Sequence, residues 1–165
     1  MLNKGLDTTT IELWKQYNIA TNEIHNAMGG TANIVSEFAE KLVASLYRGK
    51  QMRASEKSAD VIFRDFHDGG KEKLIQVKSR RKKKLTSSSL GIIRSWDFHY
   101  LVVVLFAVDG TVIKAIEIDV DTAKSIATPN KHQNGWVITT SSSLLENSNA
   151  RDITDDLNSI ITELK

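Results

Sequence analysis

A chain of 165 residues, 41% hydrophobic and 25% charged, has the make-up of one globular domain (1–165) long enough to bury its own core. It contains no cysteine, which excludes disulfide scaffolds, thiolate zinc centres and cysteine nucleophiles. Net charge is +2, yet residues 71–84 hold eight lysines and arginines against Glu72 alone, so this strip carries +7 and the remainder −5, the pattern of a localised polyanion contact.

No apolar run approaches the ~20 residues that cross a bilayer, and Met1-Leu2-Asn3-Lys4 leads into polar residues, so a cytoplasmic protein without a membrane partner is expected. Thr9 with Glu12 reads as a capping box. Ile11, Trp14, Tyr17, Ile24 and Met28 follow at near-helical spacing, until Gly29-Gly30 stops the segment. A second helix is predicted from Thr31 or Asn33 to Tyr47, because Ile34, Val35, Phe38, Leu42, Val43 and Leu46 recur on one helical face. Residues 51–57 are a polar connection, with a short strand at Gln51 to Ala54.

Ser58 to Phe63 and Leu74 to Ser79 have the branched, apolar content of strands, and Phe66-His67-Asp68-Gly69-Gly70-Lys71 between them has hairpin-turn chemistry. Because side chains alternate faces, Gln76 and Lys78 point one way, and Ile75 and Val77 the other. A hairpin folded about Asp68 and Gly69 sets Asp60 opposite Val77, within one residue. A carboxylate, an amide and an ammonium then converge on one patch. Paired strands also carry ordinary cross-strand ion pairs, and Asp60 with Lys78 could be one.

Arg80 to Gly91 is basic, then serine-rich, and reads as a loop with room for a short helix. His99 to Val108 is the most apolar run and suits a strand buried on both faces. Asp109-Gly110 turns it into a second strand, Thr111 to Ile118. Asp121 caps a short helix through Ile126, ended by Thr128-Pro129-Asn130. Trp136 to Thr140 is a last strand, and Asp152 or Thr154 opens a terminal helix with Leu157, Ile160, Ile161 and Leu164 on one face.

Glu37 on a helix, Asp60 on a following strand and Gln76-Val77-Lys78 on its hairpin partner together resemble the PD-(D/E)XK nuclease superfamily, over about residues 31 to 120. Ala59 stands where the motif has proline, and Gln76 where it has its second acid. Modification-directed restriction enzymes look similar, with Gln-x-Lys. The resemblance implies an α/β restriction endonuclease-like core, a mixed central sheet flanked by helices. It implies Asp60, Gln76, Lys78 and Glu37 as catalytic residues, with Glu40 competing for the place of Glu37. Mg²⁺ or Mn²⁺ would be held by Asp60, Gln76 and the main-chain carbonyl of Val77, with no small-molecule cofactor.

The expected substrate is double-stranded DNA, met by Lys73, Arg80, Arg81, Lys82, Lys83 and Lys84. A small type II restriction enzyme is the natural form of this activity. With one site per chain, cutting both strands calls for a homodimer. The alternative is a nucleic-acid-binding module of the same fold whose catalytic centre has lapsed at Gln76, since an amide oxygen is a weaker ligand for a hard cation than a carboxylate. His25, His67, His99 and His132 show no HxH or HExxH spacing, which argues against zinc, and His99 is expected to be a hydrogen-bonded structural residue.

Overall fold

The long apolar run folds as the centre of a sheet because its branched side chains fill both faces. In a computed structural model, which describes residues 8–29, 33–53 and 59–163, this run is strand β4. It follows helices α1 (Thr8–Ala27) and α2 (Ile34–Leu46) and strands β1 (Lys50–Gln51), β2 (Val61–Asp65) and β3 (Lys71–Arg81), and itself spans Tyr100–Phe106. Val102, Val104 and Phe106 pack into one core and Leu101, Val103 and Leu105 into a second on the opposite face. Alternation along a single strand therefore feeds two hydrophobic layers.

After β4 come β5 (Val112–Asp119), α3 (Val120–Ile126), β6 (Thr128–Asn130), β7 (Gly135–Val137), α4 (Ser142–Leu145), β8 (Arg151–Asp152) and α5 (Thr154–Glu163). Six strands form one mixed sheet in the order β1-β2-β3-β4-β5-β8, in which only the β3–β4 pair is parallel. Helices α2 and α5 cover the first core through Leu42, Val43 and Leu157. The other face is closed by residues 88–98, α3, α4 and a separate ribbon formed by β6 and β7. Helix α1 buries none of its side chains and leaves Trp14 and Tyr17 exposed.

Several sequence expectations change at their boundaries. The first helix, the second helix and the terminal helix are present, with Asn33 as the N-cap of α2. The first hairpin strand starts at Val61, so Asp60 is the bend residue that leads into it rather than a strand residue. Its turn is a 3-10 segment, Phe66–Asp68, closed by Gly69 and Gly70 at φ +64° and +74°, which only glycine adopts at little cost. Strand β3 continues to Arg81, so Arg80 and Arg81 sit on the sheet instead of in a loop. The short helix is capped by Asp119, not Asp121. Thr128-Pro129-Asn130 follows the end of that helix at Ile126, as expected, and itself forms a strand paired with β7. The expectations at Thr31, Ser58 and Leu164 lie outside the described residues.

The connection from β3 to β4 decides where chemistry can sit. Parallel neighbours need a long crossover, and here it is the extended segment 82–99, with no helix. That segment lies across the second face as a strap. It bridges to the ribbon side at Ser89↔Thr139 and Ile93↔Trp136.

Candidate active site

Strand β3 has different partners along its two halves. Lys71 to Ile75 pair with β2, and Ile75 to Arg81 pair with β4. Past Ile75, no strand among the described residues covers the edge of β3 that faces β2, so its main-chain groups there look onto the carboxylate of Asp60. The register places Val61 opposite Ile75 and hence Asp60 opposite Gln76, within one residue of the sequence expectation. The Asp60 backbone is fixed from both sides: its N–H donates to the Ile75 carbonyl at 2.9 Å, and its carbonyl accepts from the Met52 N–H at 2.8 Å.

Asp60 Oδ2 accepts from the Val77 N–H at 2.7 Å and from the Gln76 side-chain amide. In an extended strand a residue's N–H and C=O lie on the same edge, so the Val77 carbonyl shares this edge with Asp60. Lys78 points to the same face as Gln76, but its ammonium does not close an ion pair with Asp60. It donates instead to the main-chain carbonyl of Ile92 on the strap, at 3.0 Å. The ordinary cross-strand pairing weighed from sequence is thus not the arrangement that forms.

Helix α2 delivers two acids. Gln51 on β1 donates to Glu37 Oε1 and to Glu40 Oε2, both at 2.8 Å, so one amide nitrogen bridges the pair. Glu37 also meets Lys41 one helical turn away, at 3.5 Å. Glu40 is the acid that feels Asp60 and Lys78. Its carboxyl is pushed up to about 7, chiefly by burial and further by the charges of Asp60 and Glu37, against the lowering effects of Gln51 and Lys78.

Burial likewise raises the Asp60 carboxyl above its ordinary value, although the Val77 N–H, Lys78 and Gln76 all favour its charge. Burial lowers the Lys78 ammonium, opposed by Asp60 and Glu40. Two half-buried carboxylates are therefore left under-compensated for their charge, beside one lysine whose charge burial also disfavours.

That imbalance suits a cation. The oxygen donors here are Asp60, Glu40, the Val77 carbonyl and, after a half-turn of its amide, Gln76 Oε1, a hard all-oxygen set of the kind Mg²⁺ or Mn²⁺ takes. Among the described residues no three His, Asp or Glu side chains form a metal-binding group. The amide, the main chain and water would have to complete the shell, as this donor set allows.

The basic residues predicted to meet nucleic acid are dispersed by the sheet. Lys73 lies five residues before Lys78, ~16 Å along an extended strand, and is paired with Asp68 at 2.8 Å in the hairpin turn. Alternation sends Arg80 to the Lys78 face, where its Nε donates to the Ser89 carbonyl at 3.0 Å. Arg81 goes to the opposite face and donates to the Val108 carbonyl at 2.5 Å. Lys82 donates to Thr140 Oγ1 at 2.8 Å, while Lys83 and Lys84 are exposed.

Gln51 and the Ile92 carbonyl are part of the site and carry no motif. Gln51 reads as a connector residue, and a main-chain carbonyl leaves no trace in side-chain identity. His99 does take the expected structural place, its Nδ1 accepting from the Leu74 N–H at 3.0 Å. The chain matches no protein-family model and no curated protein. None of the helices among the described residues is long and apolar enough to cross a membrane.

Proposed function

We propose that this chain is a metal-dependent endodeoxyribonuclease with a restriction endonuclease-like core, of the PD-(D/E)XK kind, that hydrolyses phosphodiester bonds in double-stranded DNA. The observation that carries the reading is that Asp60, Glu40 and Lys78, from three separate elements, lie close enough to act on one another's charge, with Asp60 on the edge of β3 that no strand among the described residues covers. A structural ion pair would neutralise itself. This cluster keeps two carboxylates raised by burial and turns its lysine aside to a carbonyl.

Asp60, Gln76 and the Val77 carbonyl would hold Mg²⁺ or Mn²⁺, with Glu40 rather than Glu37 reaching the ion from the helix side. When bound, the ion supplies Lewis-acid polarisation of the phosphate and lowers the pKa of a coordinated water. Lys78 lies on the same face. Lys78 would orient the attacking water, whose proton passes to solvent as the new P–O bond forms, and its ammonium would face the charge on the non-bridging oxygens. The Ile92 carbonyl fixes that nitrogen in place, and the departing 3′-oxygen takes its proton from solvent. A homodimer would bring two such sites to the two strands, as a small type II restriction enzyme requires.

Plasmid cleavage across several sequences and methylation states, with Mg²⁺ and with Mn²⁺, tests the proposal. Asp60→Ala and Lys78→Ala should each abolish nicking while DNA binding persists. Nicking that survives both substitutions would remove these residues from the mechanism. A second reading, a DNA-binding module without catalysis, is favoured by Gln76, whose amide nitrogen and not its oxygen faces Asp60. Binding without cleavage by the intact chain under every metal would select it.

A further inference from the structure

All 20 aspartates and glutamates of the chain lie outside two stretches, residues 73–96 and 122–145, which together hold ten of its 22 lysines and arginines. Far apart in sequence, these stretches are brought together by the fold. Residues 82–96 of the strap belong to the first and the β6–β7 ribbon to the second. They are joined by the Ile93–Trp136 pair of main-chain hydrogen bonds at 2.9 Å, by Leu90 N–H to the Ile138 carbonyl at 2.9 Å, and by Arg94 Nη1 to the Gln133 carbonyl at 2.8 Å. The result is two hydrogen-bonded segments, 82–96 and 128–138, that carry no carboxylate of their own and begin at the part of the strap that anchors Lys78; the exposed Asp97 follows the first.

The ribbon is rigidly held. Its indole Trp136 packs on Trp96 at 5.3 Å between ring centres. A side chain at Gly135 would meet Ile92 and the Ile93 carbonyl at 2.6 Å, so ribbon and strap touch backbone to backbone. In the turn, Asn130 Oδ1 accepts from the Gln133 N–H at 3.1 Å, and Asn134 takes a left-handed φ of +49°. Asn130 and Gln133 shape the turn, while Lys131, His132 and Asn134 are exposed at its tip. From Lys78 to that tip is roughly 15 Å, counting one strand spacing and a few residues of extended chain.

We propose that the β6–β7 ribbon is a sequence-reading element whose tip residues Lys131, His132 and Asn134 contact base edges in the major groove of double-stranded DNA. This rests on the nuclease reading above and adds the part that would set its specificity. The B-form major groove, about 12 Å wide, admits a two-stranded ribbon, and each tip side chain is of a type that discriminates bases there: lysine on guanine, asparagine on adenine, histidine as donor or acceptor. An A-form duplex has a major groove too narrow for such a ribbon. The absence of acids from the ribbon and from residues 82–96 beside it lessens the like-charge repulsion that would keep the ribbon from entering between two phosphate backbones.

The test is selection of cleaved sites from a randomised duplex library with Mg²⁺, done with the intact chain, with Lys131→Ala, His132→Ala and Asn134→Gly singly, and with the three combined. Glycine keeps the left-handed φ at position 134, and thermal melting checks that all variants fold. The intact chain should prefer particular bases, and each variant should relax that preference about 10- to 100-fold at one or two positions while still nicking plasmid. An unchanged preference in the triple variant overturns the ribbon's role and leaves the nuclease reading standing. Uniform weakening with the preference intact makes the tip a phosphate contact and also overturns it. If the intact chain neither binds nor cuts DNA, both readings fall together.

Discussion

Lys78 Nζ donates to the main-chain carbonyl of Ile92 at 3.0 Å, 14 residues further along the chain. The nitrogen that the proposed chemistry needs is thus positioned by the strap and not by its carboxylate neighbours. Gly91 lies beside this nitrogen, and a β-carbon there would sit 3.7 Å from Lys78 Nζ, an ordinary van der Waals distance. Gly91→Ala should therefore cleave DNA at close to the normal rate. Gly91→Leu should displace the ammonium and slow cleavage at least tenfold, with the melting temperature little changed. Equal rates for the two variants would release Lys78 from the strap.

Gly135 offers the converse case, because its added β-carbon would meet Ile92 Cγ2 and the Ile93 carbonyl, each at 2.6 Å. Backbone must move to admit even alanine. Gly135→Ala should destabilise the protein by about 1–3 kcal/mol, the usual range for overpacking, and should lower the cleavage rate as well, since the strap carries Ile92. Urea unfolding combined with plasmid nicking reads both effects.

The raised carboxyls on α2 and before β2 make stability depend on pH. Glu40, pushed up to about 7 from 4.5, binds an extra proton in the folded state between those values. A raised carboxyl therefore contributes stability that is present near pH 5 and is lost as pH climbs through 7. Taken at full value the shift corresponds to about 3 kcal/mol; screening at this half-buried site reduces it to ~1 kcal/mol. Without divalent metal, the protein should resist urea better at pH 5.5 than at pH 8, and Glu40→Gln should flatten that difference. Asp60, shifted in the same direction, adds to the slope, while Lys78, whose charge burial disfavours, opposes it.

The lysines and arginines after Lys78 should separate into two kinds. Arg80 and Lys82 each hold a loop by a hydrogen bond, to the Ser89 carbonyl and to Thr140 Oγ1, whereas Lys83 and Lys84 are exposed. Neutralising Lys83 and Lys84 to glutamine should reduce the salt slope of DNA binding by about one for each phosphate that is no longer neutralised and leave stability unchanged. Lys82→Gln should also cost about 1 kcal/mol, the worth of a typical hydrogen bond. An unaltered salt slope in the double variant would mark residues 83 and 84 as solvent-facing only.

Ser79 gives a test remote from the chemistry. Its hydroxyl is a buried polar atom with no hydrogen-bond partner among the described residues. It lies on the β3 face that carries Val77, towards α2. Ser79→Ala should raise stability by roughly 1 kcal/mol by removing an unsatisfied group, with cleavage unaffected. A loss of stability would mean that the hydroxyl is satisfied in solution.

Local pattern determined a good deal by itself. The stripe of Ile34, Phe38, Leu42 and Val43 makes α2, and the double glycine makes the β2–β3 turn. The unbroken apolar run of β4 requires burial on both faces. These follow from periodicity and backbone preference, which are properties of neighbouring residues. The same alternation put Gln76 and Lys78 on one side and brought Asp60 within one residue of its partner. Tertiary structure alone decided what those residues do to one another. It began β2 only at Val61, so that Asp60 accepts from the Val77 N–H on the β3 edge that no strand among the described residues covers, and it set Glu40 within reach of the charges of Asp60 and Lys78, which helical spacing does not reveal. It also drew the Lys78 ammonium to a carbonyl on a strap with no regular structure, and folded two acid-free stretches against each other. Each of these depends on which elements are neighbours in space, and long-range packing, not local propensity, sets that.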